Sequence, residues 1–143
     1  MTIRFEGSDA PLSIDDILEL ERQIGLVFPG PLRAAYLRSN GGQPDPYVIE
    51  TSIVDTVVSE FLSLTTTEGL SSPEAYASLV RRKGLAPANF FPFAVEGGGD
   101  FFLVNLSTPT AEVYIYTGDA EPGEELRSLG LGLDDFWSSL KPE

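Results

Sequence analysis

The run Pro92-Phe93-Ala94-Val95-Glu96-Gly97-Gly98-Gly99-Asp100-Phe101-Phe102-Leu103 constrains this chain more than any other stretch. Three consecutive glycines separate two apolar, aromatic segments, with a carboxylate on each side of them. Glycine reaches φ > 0 without a Cβ clash, so the run lets a chain reverse tightly between two strands. It predicts a β-hairpin from Phe90 to Leu106 inside an antiparallel sheet. On the second arm Phe102, Val104 and Leu106 fall on one face, while Phe101 and Leu103 make the other face apolar too. That two-sided pattern belongs to an interior strand. A phosphate-loop reading of the glycines fails on context. Such a loop needs a following Lys-Ser/Thr and a helix N-terminus aimed at the phosphates, whereas Asp100 and a strand follow here and Glu96 adds a second repelling charge.

Helix signals surround the hairpin. Ser13 is an N-cap with Asp15 and Asp16 in the first turn. Ile14, Ile17, Leu18 and Ile24 recur at helical spacing, Leu20 widens that stripe, and Gly25 ends it. A second helix is expected from about Pro31 to Ser39, burying Leu32, Ala35 and Tyr36 and stopped by Asn40-Gly41-Gly42. Ser72-Pro73-Glu74 reads as the cap and first turn of a third helix reaching about Lys83, with Tyr76, Leu79 and Val80 on its apolar side. Its closing Arg81-Arg82-Lys83 reads as a solvated helix end, the alternative being a salt-sensitive contact with an acidic partner. Gln43 to Pro46 reads as loop, Tyr47 to Ile49 and Val57 to Leu64 as strands, and Glu112 to Thr117 as a further strand with Val113 and Ile115 on one face and Tyr114 and Tyr116 on the other. Asp134 to Leu140 is a short last helix docking Phe136, Trp137 and Leu140. The expected fold is α+β: one domain over residues 1–143, a central antiparallel sheet of five to six strands, and N-terminal, middle and C-terminal helices packed on it.

Composition narrows function. The chain has 143 residues with 42% hydrophobic and 22% charged content, enough to build a core without a disulfide or metal staple. Twenty-two acidic against nine basic side chains give a net charge of −13, which repels nucleic acid and anionic membrane and attracts basic partners. With no histidine and no cysteine, Ser-His-Asp and Cys-His catalysis, thiol redox chemistry and the usual zinc sites are excluded. The N-terminal segment from Met1 to Glu6 does not read as a leader, and no stretch approaches the ~20 apolar residues of a membrane span. A soluble cytoplasmic protein is the expectation.

The remaining polar motifs assemble no enzyme mechanism, cofactor site or metal site. Glu96 and Asp100 face each other across the glycine turn, where paired carboxylates usually serve solubility rather than acid/base chemistry. The acidic stretch Gly118 to Glu125 lacks the Asp-x-Asp-x-Asp-Gly spacing of a calcium loop. Tyr114 and Tyr116 are interface anchors if exposed.

Taken in order, the motifs resemble those of the Smi/Knr-type SUKH superfamily. The resemblance rests first on Ile17, Leu20, Glu21, Ile24, Gly25, Phe28, Pro29, Tyr36 and Asn40-Gly41-Gly42. It continues through Pro92-Phe93-Ala94 with Gly97-Gly98-Gly99-Asp100 and ends at Asp135-Phe136-Trp137-Leu140. Two positions depart from the pattern: Leu32 stands where an aromatic residue is common, and Gly30-Pro31 replaces the usual acidic pair. The resemblance implies a non-catalytic immunity protein that binds and neutralises a cognate bacterial toxin, often a nuclease. The alternative it implies is a regulatory or scaffolding module for an endogenous protein or peptide. The partner expected is a toxin or other protein with a basic surface, not nucleic acid or membrane, and the chain itself is expected to be a monomer or weak homodimer. Since toxin-facing surfaces vary between superfamily members, the candidate partner-binding residues come from charge alone: Glu96, Asp100, Asp119, Glu121, Glu124 and Glu125.

Overall fold

The computed structural model describes residues 3–143; Met1 and Thr2, the first residues of the segment read above for a leader, lie outside the described residues. The glycine run turns a hairpin between β5 (Phe90–Glu96) and β6 (Phe101–Asn105), with Phe91 opposite Val104 and Val95 opposite Phe101. Gly99 takes the left-handed conformation at φ 97°, and the Cβ that Gly97 lacks would lie 2.5 Å from Val57 Cγ2. The run is thus needed both for the turn and for close passage of the neighbouring strand. The hairpin is interior, as its two-sided apolarity predicted: Phe102, Leu103 and Val104 are all buried.

Among the described residues the main sheet has six strands, all antiparallel. Val48–Glu50 (β3), Asp55–Phe61 (β4), β5, β6, Glu112–Tyr116 (β7) and Leu126–Ser128 (β8) lie side by side in chain order. A separate two-stranded ribbon pairs Arg4–Glu6 (β1) with Gln43–Asp45 (β2). It joins the main sheet where Gly42 N–H donates to Phe61 O at 2.9 Å and Phe61 N–H donates to Gly42 O at 2.8 Å. The ribbon corrects the expectation of a loop at Gln43 to Pro46. Pro44 argues against a strand in sequence, but it is tolerated in a ribbon of three residues per strand, where few ladder bonds are at stake.

The helices cover one face of the sheet. Ser13 caps α1 (Ile14–Ile24) with a complete capping box, accepting from Asp16 N–H at 3.1 Å while Ser13 N–H donates to Asp16 Oδ2 at 2.9 Å. These bonds hold the Asp16 carboxyl below its ordinary range. The second helix, α2, spans Gly30–Arg38 and the last, α4, Leu133–Ser139. Their rings meet those of the strands: Tyr36 stacks on Phe61 at 4.6 Å between centroids, Phe136 lies 5.5 Å from Phe93 and 5.2 Å from Phe102, and Phe28 lies 5.0 Å from Phe91. Phe28, Phe61, Phe91, Phe93, Phe102 and Phe136 are almost wholly buried, so this aromatic seam is the core. Aromatic pairs in such tilted and edge-to-face arrangements contribute about 0.5–1.5 kcal/mol each beyond the area they bury.

Two helix expectations are revised. The third helix is capped by Ser71, not Ser72, in a capping box with Glu74. Ser72 is spent in the core, its hydroxyl 2.8 Å from Tyr36 Oη and 3.2 Å from Leu62 O. After one α-helical turn (α3, Ser72–Ala75) the chain widens into a π-helix over Tyr76–Arg82. Tyr76 and Val80 stay buried on its inner side, and Arg81 swings over the Tyr76 ring to donate to Ile24 O at 2.9 Å, completing the end of α1. The apolar stripe of α1 is only partly used: Ile17 is buried, whereas Ile14 and Leu18 are about two-fifths exposed at 43% and 40%.

Candidate protein-binding surface

In a chain-order antiparallel meander, every second connection falls at the same end of the sheet. The β3–β4, β5–β6 and β7–β8 connections therefore share one end, although they lie far apart in sequence. Main-chain and side-chain bonds stitch them together. Gly97 N–H donates to Val57 O at 3.0 Å and the Thr56 hydroxyl donates to Glu96 Oε2 at 2.5 Å, tying the glycine turn to β4. On its other side Asp100 Oδ1 accepts from Gly118 N–H at 3.1 Å, tying the same turn to the β7–β8 loop.

This stitching brings all six predicted residues to one end and adds two that charge reading passed over. Residues 50–55, 96–100 and 117–125 carry Glu50, Asp55, Glu96, Asp100, Asp119, Glu121, Glu124 and Glu125, and no lysine or arginine. Glu50 pairs with Lys141 Nζ at 2.9 Å. Glu50 and Asp55 were open to detection from the Thr51-Ser52 turn between two strand-like runs, but nothing local marks that turn as a neighbour of the glycine hairpin. The basic triplet Arg81-Arg82-Lys83 belongs to the β4–β5 connection, at the opposite end.

The eight carboxylates are not equivalent. Glu96 is a turn residue, its Oε1 accepting from Gly98 N–H at 2.7 Å as its Oε2 accepts from Thr56. Asp100 holds the neighbouring loop, and Glu125 Oε1 accepts from Gly123 N–H at 2.6 Å. The side chains of Asp119, Glu121 and Glu124 are exposed and make no hydrogen bond or ion pair among the described residues. Such carboxylates meet a partner without first breaking a bond. Among the described residues no group of three or more acidic side chains is placed to hold a metal ion, and no helix is long and apolar enough to cross a membrane.

Beside this end lies the sheet face opposite the one that buries Val113 and Ile115. Tyr114 and Tyr116 of β7 stand on it with Phe101 opposite Tyr116 and Leu126 beside it, all partly exposed. The ring contact made on this face is within the sheet, Phe90 against Tyr114 at 4.7 Å.

Residues 11–139 match a family model, that of the SMI1 / KNR4 family (SUKH-1). The chain belongs to this family. No curated protein matches it. Within this SUKH-1 chain the signature residues are largely internal. Glu21 is 4% exposed and accepts from Arg33 Nε and Nη2, both at 2.7 Å, and from Phe28 N–H at 3.0 Å, fastening α1 to α2 and to the connector between them. That pairing raises the Arg33 guanidinium further above its ordinary value. Asn40 is 1% exposed: its Nδ2 donates to Ala10 O and Thr65 Oγ1, and its Oδ1 accepts from Ser63 Oγ and Leu64 N–H. Asn40-Gly41-Gly42 is therefore more than a helix stop; it is the junction at which three loops meet. Burial holds the Tyr36 hydroxyl protonated far above the ordinary tyrosine range. Of the SUKH-1 signature, only the Gly97 to Asp100 turn lies at the acidic end.

Proposed function

We propose that this chain is an immunity protein that binds a bacterial toxin one-to-one and neutralises it through the acidic turn end of its sheet, the toxin being a nuclease. The observation that carries the reading is the convergence, at one end of a SUKH-1 fold, of three hairpin connections bearing eight carboxylates, of which, among the described residues, only Glu50 is paired with a cation, Lys141. A nuclease must present cationic groups to the phosphate backbone, and an acidic end of this kind is steered to them and covers them. Steering of this sort acts on association, raising rate constants toward 10⁸–10⁹ M⁻¹s⁻¹ at low salt.

The test is to co-express the chain with the product of the adjacent gene, measure growth, and then measure complex formation between the purified proteins. Rescue of growth with a one-to-one complex is expected. No rescue and no complex would refute the reading. Within a complex, Glu121→Lys and Glu124→Lys together are expected to slow association about tenfold in low salt with little change in dissociation, and the difference is expected to shrink above ~0.3 M salt. Because neither side chain holds a turn, the unfolding free energy of the double variant is expected to stay within about 0.5 kcal/mol of the parent.

A further inference from the structure

The two edges of the main sheet are treated differently. On the β3 edge the C-terminal segment closes the ladder: Val48 N–H donates to Lys141 O at 3.1 Å and Lys141 N–H donates to Val48 O at 3.0 Å. The β8 edge has no such cover among the described residues. Thr117 bonds to Glu125 and Leu129 to Val113, so the residues between them alternate, and Leu126 and Ser128, opposite Tyr116 and Tyr114, turn their main-chain N–H and C=O away from β7. No hydrogen bond among the described residues engages those four groups. The next outward N–H, that of Gly130, is already taken by Ser128 Oγ at 3.0 Å.

We infer that the open edge of β8, with the partly exposed face of Tyr114, Tyr116, Phe101 and Leu126 beside it, is a docking site for an extended segment of a basic partner protein, which adds as a further strand. Unpaired main-chain groups of a strand are satisfied in register only by another extended main chain. Side chains of an added strand alternate, so every second residue lies next to Leu126 and Tyr116 and must be apolar. The rim selects the charge. One end of the edge runs into Asp119, Glu121, Glu124 and Glu125, and Glu112 stands at the other, accepting from the Ser128 hydroxyl at 2.6 Å. Arg127, the cation of this strand, pairs with Ile115 and therefore faces the helix side. The segment that fits is apolar on one face and carries lysine or arginine where it reaches the β7–β8 loop. That the partner is a toxin rests on the preceding reading; the surface does not.

A blocked heptapeptide alternating lysine with valine, and its counterpart with glutamate for lysine, titrated into the isotope-labelled protein at low salt, test the site. The lysine peptide is expected to shift the amides of Leu126 and Ser128 and the rings of Tyr114 and Tyr116, and to slow exchange of those two amides at least tenfold. The glutamate peptide is expected to leave them unchanged. Leu126→Pro removes an N–H that β7 does not use, and Leu126→Ala removes the same side chain but keeps the N–H; binding to the proline variant is expected to be about tenfold weaker than to the alanine variant. Equal affinity for the two variants would overturn the proposal. So would shifts confined to the acidic turns with the Leu126 and Ser128 amides unmoved, or no shift at millimolar peptide; the wild-type exchange data decide even if the proline variant does not fold. Peptide failure alongside intact growth rescue would discard the surface and keep the immunity reading, and the reverse pair of results would do the opposite.

Discussion

Replacing Gly41 by alanine is expected to destabilise the protein by about 3–4 kcal/mol, and three glycines separate the causes. Gly41 sits at φ 80°, where its missing Cβ would lie 2.7 Å from Ser63 N, 2.8 Å from Ser63 Cα and 2.9 Å from Phe61 O. All three are backbone atoms, so no rotamer change relieves the contact. An alanine in the left-handed region costs roughly 1–2 kcal/mol on conformation alone. Forcing packed segments apart adds roughly 1–3 kcal/mol. The displacement falls where Gly42 and Phe61 exchange main-chain bonds and where Asn40 holds Ser63 and Leu64. Gly7→Ala isolates the first cost, because Gly7 has φ 73° but open space around it; about 1 kcal/mol is expected. Gly69→Ala has neither constraint and is expected to be neutral or slightly stabilising. Urea unfolding followed by the fluorescence of Trp137, the single tryptophan and 4% exposed, reads all three. With a slope of about 2 kcal/mol per molar urea, Gly41→Ala lowers the midpoint by roughly 1.5–2 M. If Gly41→Ala and Gly7→Ala fall within about 1 kcal/mol of each other, the close approach at this junction does not hold the fold together and the reasoning fails.

Glu21→Ala is expected to cost about 3 kcal/mol by urea unfolding, since it strands the Phe28 N–H and removes both carboxylate contacts of Arg33; a loss under 1 kcal/mol would mean that water replaces the carboxylate. Tyr36→Phe is expected to cost about 1–2 kcal/mol, because Ser72 Oγ loses a buried partner, and Ser72→Ala in that background is expected to add little. Glu60 is exposed, but its neighbours partly desolvate the carboxyl and raise it above its ordinary value of 4.5, so the folded state holds the proton more tightly than the unfolded chain and stability falls as pH rises through that range. Glu60→Gln is accordingly expected to raise the melting temperature slightly at pH 7 and to leave it unchanged below about pH 4; an equal shift at both pH values would refute the desolvation argument.

The elements legible in the sequence are those whose signals are local. Ser13 with Asp16, the glycine turn, and Phe136-Trp137 beside Leu140 each announce their structure within a few residues. The elements missed are held by distant partners: β1 and β2 exist because Arg4 to Glu6 meets Gln43 to Asp45, and β8 because Leu126 to Ser128 lies against β7. No three-residue run carries that information. The π-helix at Tyr76–Arg82 has no breaker residue to mark it. The surface divides the same way. Each carboxylate was visible, but their gathering at one end follows from strand order, which neither charge nor periodicity encodes.

The turn end also has a bearing on how such a molecule can change. None of the residues 97–99 or 118–124 belongs to the buried core, and the glycine hairpin and the β7–β8 loop are fastened to their neighbours mainly by hydrogen bonds. Lengthening a loop there is nearly free of folding penalty, at about 0.6 kcal/mol for each doubling of length. If the turn end is the binding surface proposed above, recognition and folding are written in separate parts of the chain. A new partner could then be met by rewriting the loops while the aromatic seam stays as it is, which would make the fold a ready frame for grafting foreign binding loops.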